Sequence, residues 1–549
     1  MKYIMQGRIL KLIIVFIASI STLIVSAQQD NSVATITASD LESHVTFLAS
    51  PLLMGRMNGE KSLEIAAEYI ATQAKFIGLK PANKNSYFQS YTLKKEINNP
   101  EKTEVKIISN DEKNIVVNKD PLFCMTPYGP SNVSFEGEVV FAGYGIKSET
   151  YKYNDFENID TEGKILLIMD RAPTSADGKT CLFNNSEWIS ENNTRMKLSS
   201  LMFTKAKAIL IVSDPKSGFK SLSESDPQMA GYFGSRIFDG ENRGQKGYSG
   251  FSPYIIFIHR NLADDILKDT GYTLESLQNK IDQNLKSSSF EVNKKLAVNI
   301  ETKVETITLQ NVAGYIEGSD PALKKEVVVY SGHYDHVGGY GDKIYVGADD
   351  NASGCAALLE MAQAFMSLKI KPLRTILFLW VSGEEIGLFG SAAYVKNPLF
   401  PLKNTVVNLN MDMIGRTKRA ADTSYQNPMS GPNTVFLISG NQSSELQAIA
   451  DMVDKKIELD FDYSLSGPNH HLQLFARSDH YNFVKKDIPV LFFSTGLHTD
   501  YHTTRDVIEL LDFRKMEAVT RAMYEIGFEV ANRKARIAVD NPYSKWGKR

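Results

Sequence analysis

The chain has 549 residues, beyond the size at which one hydrophobic core keeps growing, so more than one structural unit is expected. With 43% hydrophobic and 23% charged residues it has the makeup of a folded globular protein, which excludes fibrous and intrinsically disordered classes. Its formal charge of −3, from 61 basic and 64 acidic residues with no clustered basic run, argues against nucleic acid as a partner.

Met1–Lys11 carries Lys2, Arg8 and Lys11 and no acid, Leu12–Val25 is uncharged and mostly apolar, and Val25-Ser26-Ala27 offers the small residues a signal peptidase needs. A helix of fourteen residues reaches about 21 Å, short of the roughly 30 Å hydrocarbon core. Residues 1–27 therefore read as an export signal, and the mature chain as a soluble periplasmic or extracellular protein without a stable membrane anchor. Cys124, Cys181 and Cys355 are too few for a disulfide framework and lack thiolate-site spacing, so they are expected to be buried thiols.

The pattern from Ser39 to Leu79 is helical, with capping-box spacing at Ser39-Asp40-Leu41-Glu42, apolar periodicity from Gly59 to Ile77 and a stop at Gly78. Tyr87–Leu93 alternates as a strand does. Around Val133 the texture becomes short β-branched runs divided by Gly, Asp and Asn, including Gly137–Ile146, Lys164–Met169, Ala208–Val212 and Tyr254–Ile258, with one helix near Arg195–Lys207. This stretch reads as an inserted β-rich unit, expected over 133–290, between an N-terminal portion (28–132) and the main part of an α/β domain (291–549).

Beyond Val292 strands and helices alternate: strands at Glu326–Tyr330, Thr375–Val381, Thr405–Met411, Val435–Ser439 and Ile488–Ser494, helices at Gly354–Leu368, Ser443–Lys456 and Phe513–Asn532. Alternation predicts a mainly parallel central sheet covered by helices on both faces, with the ligand site beyond the carboxyl ends of its strands. The unusual residues stand at those ends. Seven of the nine histidines fall between His333 and His502. The first strand runs into His333-Tyr334-Asp335, and a helix opens at Gly347-Ala348-Asp349-Asp350-Asn351-Ala352-Ser353-Gly354. The second strand ends in Ser382-Gly383-Glu384-Glu385, the third in Asp412, and the last precedes His498, Asp500 and His502. Acids converging on one rim repel unless cations neutralise them, and imidazole with carboxylate suits Zn²⁺, with Co²⁺ or Mn²⁺ as alternatives.

These blocks, together with Tyr501-His502-Thr503-Thr504, resemble the successive signatures of the M28 family of co-catalytic zinc aminopeptidases. Leu52-Leu53-Met54-Gly55-Arg56 resembles the family's N-terminal helical portion, and the β-rich middle resembles its inserted protease-associated (PA) domain. The resemblance implies two Zn²⁺ per chain, one held by His333 and Asp412, the other by Glu385 and His502, bridged by Asp350; Asp349 stands one position away, and the family register favours Asp350. It implies Glu384 as general base, Asp335 as the carboxylate orienting His333, and Tyr501 as a hydrogen-bond donor to the tetrahedral intermediate. The implied substrates are peptides with a free N-terminus. A glutaminyl-peptide cyclase, a carboxypeptidase acting on acidic dipeptides and a binding protein that lost its metals are the competing readings.

Some features read more plainly. His470-His471 are neighbours on a loop and should diverge, His336, His480 and His498 are outer-shell candidates, and Ser478-Asp479-His480 also fits a helix cap. Gly338-Gly339-Tyr340-Gly341-Asp342 lacks the Lys-Ser/Thr of a phosphate loop and reads as a mobile loop beside the site. Gly-x-Ser-x-Gly is absent, which gives no support to a serine hydrolase.

Overall fold

The computed structural model describes residues 32–109, 115–118, 120–125, 132–189, 193–240, 253–420, 422 and 427–546; the expected export signal 1–27 lies outside them. The chain divides into two units, Met1–Thr92 with Thr308–Arg549, and Leu93–Ile307. The second is wider than the expected insert 133–290, because the strand Glu104–Ser109 pairs with Phe290–Ile300 and belongs to the same sheet.

In the first unit, helices α1 (Ala38–Leu48) and α2 (Lys61–Ile77) precede the sheet. Thr37, not Ser39, caps α1 by accepting from the Asp40 N–H, and Gly78 ends α2 in the left-handed conformation at φ 95°. The sheet strands are β1 (Thr302–Ile316, its later part), β2 (Val327–His333), β3 (Thr375–Val381), β4 (Thr405–Met411), β5 (Thr434–Ser439), β6 (Asp460–Asp462) and β7 (Val490–Ser494), in spatial order β1-β3-β2-β4-β7-β5-β6. The β3–β2, β2–β4 and β4–β7 pairings are parallel, while β1–β3 and β5–β7 are antiparallel. The four central strands thus point the same way and deliver their carboxyl ends to one rim. Every residue of β2, β3 and β4 is buried, as continuous β-branched and apolar runs require when both faces are covered.

The covering helices are α3 (Gly354–Ser367), α4 (Phe389–Lys396), α5 (Ser444–Asp454), α6 (His480–Val484) and α7 (Phe513–Asn532). Alternate side chains of β2 and β3 serve opposite faces. Tyr330 and Phe378 stack with ring centroids 5.3 Å apart and meet Phe365 of α3, which contacts Tyr524 of α7. Val329, Leu377 and Leu379 enter the other core with Tyr394 of α4 and Phe483 of α6.

The second unit holds an eight-stranded mixed sheet. Val133–Phe141, Ile165–Met169, Ala208–Val212 and Tyr254–Ile258 run parallel in that order, and the remaining pairings are antiparallel. Helices Asn193–Met202, Pro227–Gly234, Arg260–Leu267 and Leu274–Asn284 make it less purely β than its sequence texture suggests. The three cysteines are free and buried.

Candidate metal centre

Each central strand ends in a group with donor chemistry. His333 is the last residue of β2 and is buried, Asp412 follows β4, Glu384 and Glu385 lie in the turn after β3, and His502 comes from the segment after β7. Asp350 is carried in on the turn Ala348–Ser353 that opens α3.

That turn is held from three sides. Asn351 donates to Met411 O and accepts from Gly354 N and Met413 N, tying the turn to the end of β4. The fit leaves no room at Gly354, where a Cβ would stand 2.4 Å from Asn351 Oδ1 and 2.6 Å from Met411 O. The Asp506 carboxylate accepts from the Asp349 and Asp350 N–H groups at 3.0–3.1 Å. Arg56, fully buried, donates to Val346 O, Gly347 O and, at 3.5 Å, Asp350 O, while also reaching Tyr334 O and Leu48 O. The Leu52–Arg56 segment therefore serves the site through one guanidinium that satisfies carbonyls otherwise orphaned in the interior.

The donor atoms gather on both sides of Asp350. Its Oδ1 lies 3.3 Å from His333 Nε2, which is 3.2 Å from Asp412 Oδ1; its Oδ2 lies 3.1 Å from His502 Nε2, which is 3.0 Å from Glu385 Oε2. Two donors each about 2.0 Å from a tetrahedral zinc ion stand about 3.3 Å apart, so these separations fit the metal. Asp349, the neighbouring candidate, turns away: its Oδ1 accepts from Gly415 N at 2.6 Å and its Oδ2 faces His498 Nε2 at 3.5 Å. Glu384 groups with His333 and Asp412, within 4.8 Å donor to donor. One pocket takes in Asp350, Glu384, Asp412 and Tyr501, with apolar walls from Met413, Ile438, Leu465, Leu474, Phe492 and Leu497 and with Arg477 on its lining.

The electrostatics are those of an acid-rich centre. Burial, with repulsion from Glu385 and Asp412, raises the Glu384 carboxyl well above its ordinary value against the pull of His333. Burial would lower the His502 imidazole, but Glu385 and Asp350 outweigh it and push it up to about 10. His333 is raised in the same way by Asp412 and Glu384. Burial raises Asp350, yet His336, His333 and His502 bring it well below the carboxylate range.

Asp335 has a different grip from the one expected. Its Oδ1 is 3.8 Å from His333 Nδ1, too far for a hydrogen bond, and that nitrogen meets the Asp335 backbone carbonyl at 3.2 Å instead. The carboxylate accepts from Glu384 N and Glu385 N at 3.2 Å and from Asn58 Nδ2 at 2.6 Å, so it shapes the turn that presents both glutamates. Tyr501 stacks on His502 with centroids 3.9 Å apart, and burial followed by Glu385 and Asp350 raises its phenol.

The plainer histidines also separate. His480 is a core residue whose Nε2 meets Phe475 O at 2.8 Å and whose ring stacks on Phe492; His470 and His471, expected to diverge, instead pack on each other with ring centroids 4.4 Å apart, His471 exposed. His498 is buried beside Asp349. His336 stands inside the centre, Nδ1 at 2.7 Å from Glu385 Oε1. Gly338–Tyr340 and Lys343–Tyr345, expected as a mobile loop beside the site, pair as a two-stranded hairpin.

The parallel strands of the α/β sheet thus carry a paired imidazole–carboxylate centre at their carboxyl ends. Residues 311–527 match Peptidase family M28. The chain is 31% identical over 230 residues to the aminopeptidase YwaD of Bacillus subtilis (40% of this chain, 45% of that protein). It is 30% identical over 221 residues to a probable leucine aminopeptidase of Arthroderma otae (38% and 56%). It thus spans about half the length of the curated relatives it matches. The solved structure of BSAP, a zinc aminopeptidase from Bacillus subtilis, is similar at 18% identity and a TM-score of 0.49, with 92% of this chain and 98% of that one covered.

Proposed function

We propose that this protein is a zinc aminopeptidase that hydrolyses the N-terminal peptide bond of peptides with a free amine. The observation that carries this is the Asp350 carboxylate set between two imidazole–carboxylate pairs, His333 with Asp412 and His502 with Glu385, at spacings that suit zinc. When bound, two zinc ions supply Lewis-acid polarisation of the scissile carbonyl and acidify water. Glu384, beside His333 and Asp412 and on the pocket lining, takes the proton of the attacking water and passes it to the leaving amine. Asp335 and Asn58 hold the Glu384–Glu385 turn in place for that transfer. Tyr501, on the same pocket, donates its phenolic hydrogen to the carbonyl oxygen as negative charge develops. The apolar walls receive an uncharged, aliphatic or aromatic first side chain. In this reading 93–307 contains a PA-like domain, and residues 1–27 direct export.

Arg477 on the pocket lining favours a second reading, in which a guanidinium holds a substrate carboxylate and the chain trims acidic dipeptides from their C-terminal side. The two are separated by incubating the zinc-reconstituted chain with a leucyl anilide, its N-acetylated form, an N-acetylated acidic dipeptide and a peptide with N-terminal glutamine. Cleavage of the free-amine anilide alone supports the aminopeptidase. Cleavage of the acetylated dipeptide supports the second reading, and cyclisation of the glutaminyl peptide without anilide cleavage contradicts both.

A further inference from the structure

His336 is fully buried, and its ring is clamped. Its backbone N–H donates to Arg56 O at 3.2 Å, its plane meets His502 edge-on with centroids 5.5 Å apart, and its Cγ and Cδ2 lie where a Cβ on Gly347 would come within 2.6 Å. Within that clamp Nδ1 lies 2.7 Å from Glu385 Oε1, while Glu385 Oε2 faces His502 Nε2 at 3.0 Å. The 2.7 Å separation is that of a charge-assisted hydrogen bond, shorter than the 3.0–3.3 Å between donors facing a common metal position. Asp350 Oδ2 is farther from Nδ1, at 3.6 Å.

We infer that His336 is a positioning residue for Glu385: its Nδ1–H donates to Oε1 and leaves Oε2 alone to face the position shared with His502 and Asp350. The two carboxylate oxygens then have separate duties. A glutamate on a turn has freedom about its last torsion and could present both oxygens or swing away; the clamped imidazole removes that freedom. Hydrogen bonds to a ligating carboxylate contribute to metal affinity, and losing one costs 10- to 100-fold. This inference rests on the two-zinc reading proposed above.

The test is zinc affinity of the full chain by chelator competition, with the visible absorption of the Co²⁺-substituted protein beside it. Wild type is expected to take up two ions. His336→Phe, which keeps the ring and loses the donor, should weaken one of the two sites about 10- to 100-fold and alter the Co²⁺ spectrum. His336→Asn, whose amide N–H falls near the Nδ1 position, should retain most of the wild-type affinity and spectrum. Wild-type affinity in His336→Phe overturns the inference, and so does a loss in His336→Asn as large as in His336→Phe, which would make the imidazole a metal ligand or simple packing. If His336→Phe does not fold, His336→Gln, whose amide nitrogen reaches the Nε2 position, takes its place with the same expectations. Uptake of fewer than two ions by wild type overturns the two-zinc reading itself, so the two failures are distinguishable.

Discussion

Glu384 is pressed toward its protonated form by burial and by Glu385 and Asp412, and it lines the pocket, as a proton-transferring carboxyl does. Glu384→Gln should therefore lower kcat by about 10²-fold or more while zinc content stays at the wild-type level; unchanged turnover would remove Glu384 from the chemistry. His480 answers to pH in another way. Burial, set against its bond to Phe475 O, lowers its imidazole to about 4 from an ordinary 6.5, so the folded state binds this proton less readily than the unfolded chain. The stability that His480 provides is complete above pH 6.5 and lost as pH falls toward 4, a span worth about 3 kcal/mol. Urea midpoints measured from pH 7 to pH 4 should fall, and fall less in His480→Gln, where the amide can still reach the Phe475 carbonyl. The donor residues were legible in the sequence as one group because they stand at strand ends or, for Asp350, at a helix opening, each in a short signature-like block. Arg56, Asn58 and Asp506 were not, because their work is done on atoms 290, 277 and 157 residues away in sequence, and no local pattern encodes such a contact.

Among the elements, the parallel strands and α7 stand where periodicity puts them, and Thr375–Val381, Thr405–Met411 and Phe513–Asn532 agree to the residue. The hairpin Gly338–Tyr345 was illegible because glycine-rich sequence carries no alternation. Gly55, at φ 69°, sits beneath that hairpin, where a Cβ would lie 2.3 Å from Gly338 O and 2.4 Å from Tyr345 O. Gly55→Ala should therefore destabilise the first unit by about 2 kcal/mol or more, read as a lower denaturant midpoint. Arg56 beside it joins that turn to the Asp350 turn. Arg56→Met should leave several buried carbonyls unpaired, cost about 3 kcal/mol or more, and weaken zinc binding although no ligand side chain is replaced. Wild-type zinc affinity in a folded Arg56→Met would show that the Asp350 turn holds its shape unaided.

At the scale of the whole molecule the chain divides into two units. The second unit, Leu93–Ile307, is wider than the expected insert 133–290, and its early edge was not legible because Glu104–Ser109 pairs with the late strand Phe290–Ile300. The candidate centre belongs wholly to the first unit, so only that unit should feel the metal. Calorimetry is expected to show a transition that rises with zinc, by about 2.7 kcal/mol of stability at a hundredfold excess over Kd, and another that ignores it. In the proposed function Asp350 lies between two zinc positions, one with His333 and Asp412 and one with Glu385 and His502. Anomalous diffraction from crystals of the zinc-loaded chain, collected on both sides of the zinc absorption edge, tests it most directly. Two peaks flanking the Asp350 carboxylate are the expected result; a single peak, or peaks that leave Asp350 outside both coordination spheres, would contradict it.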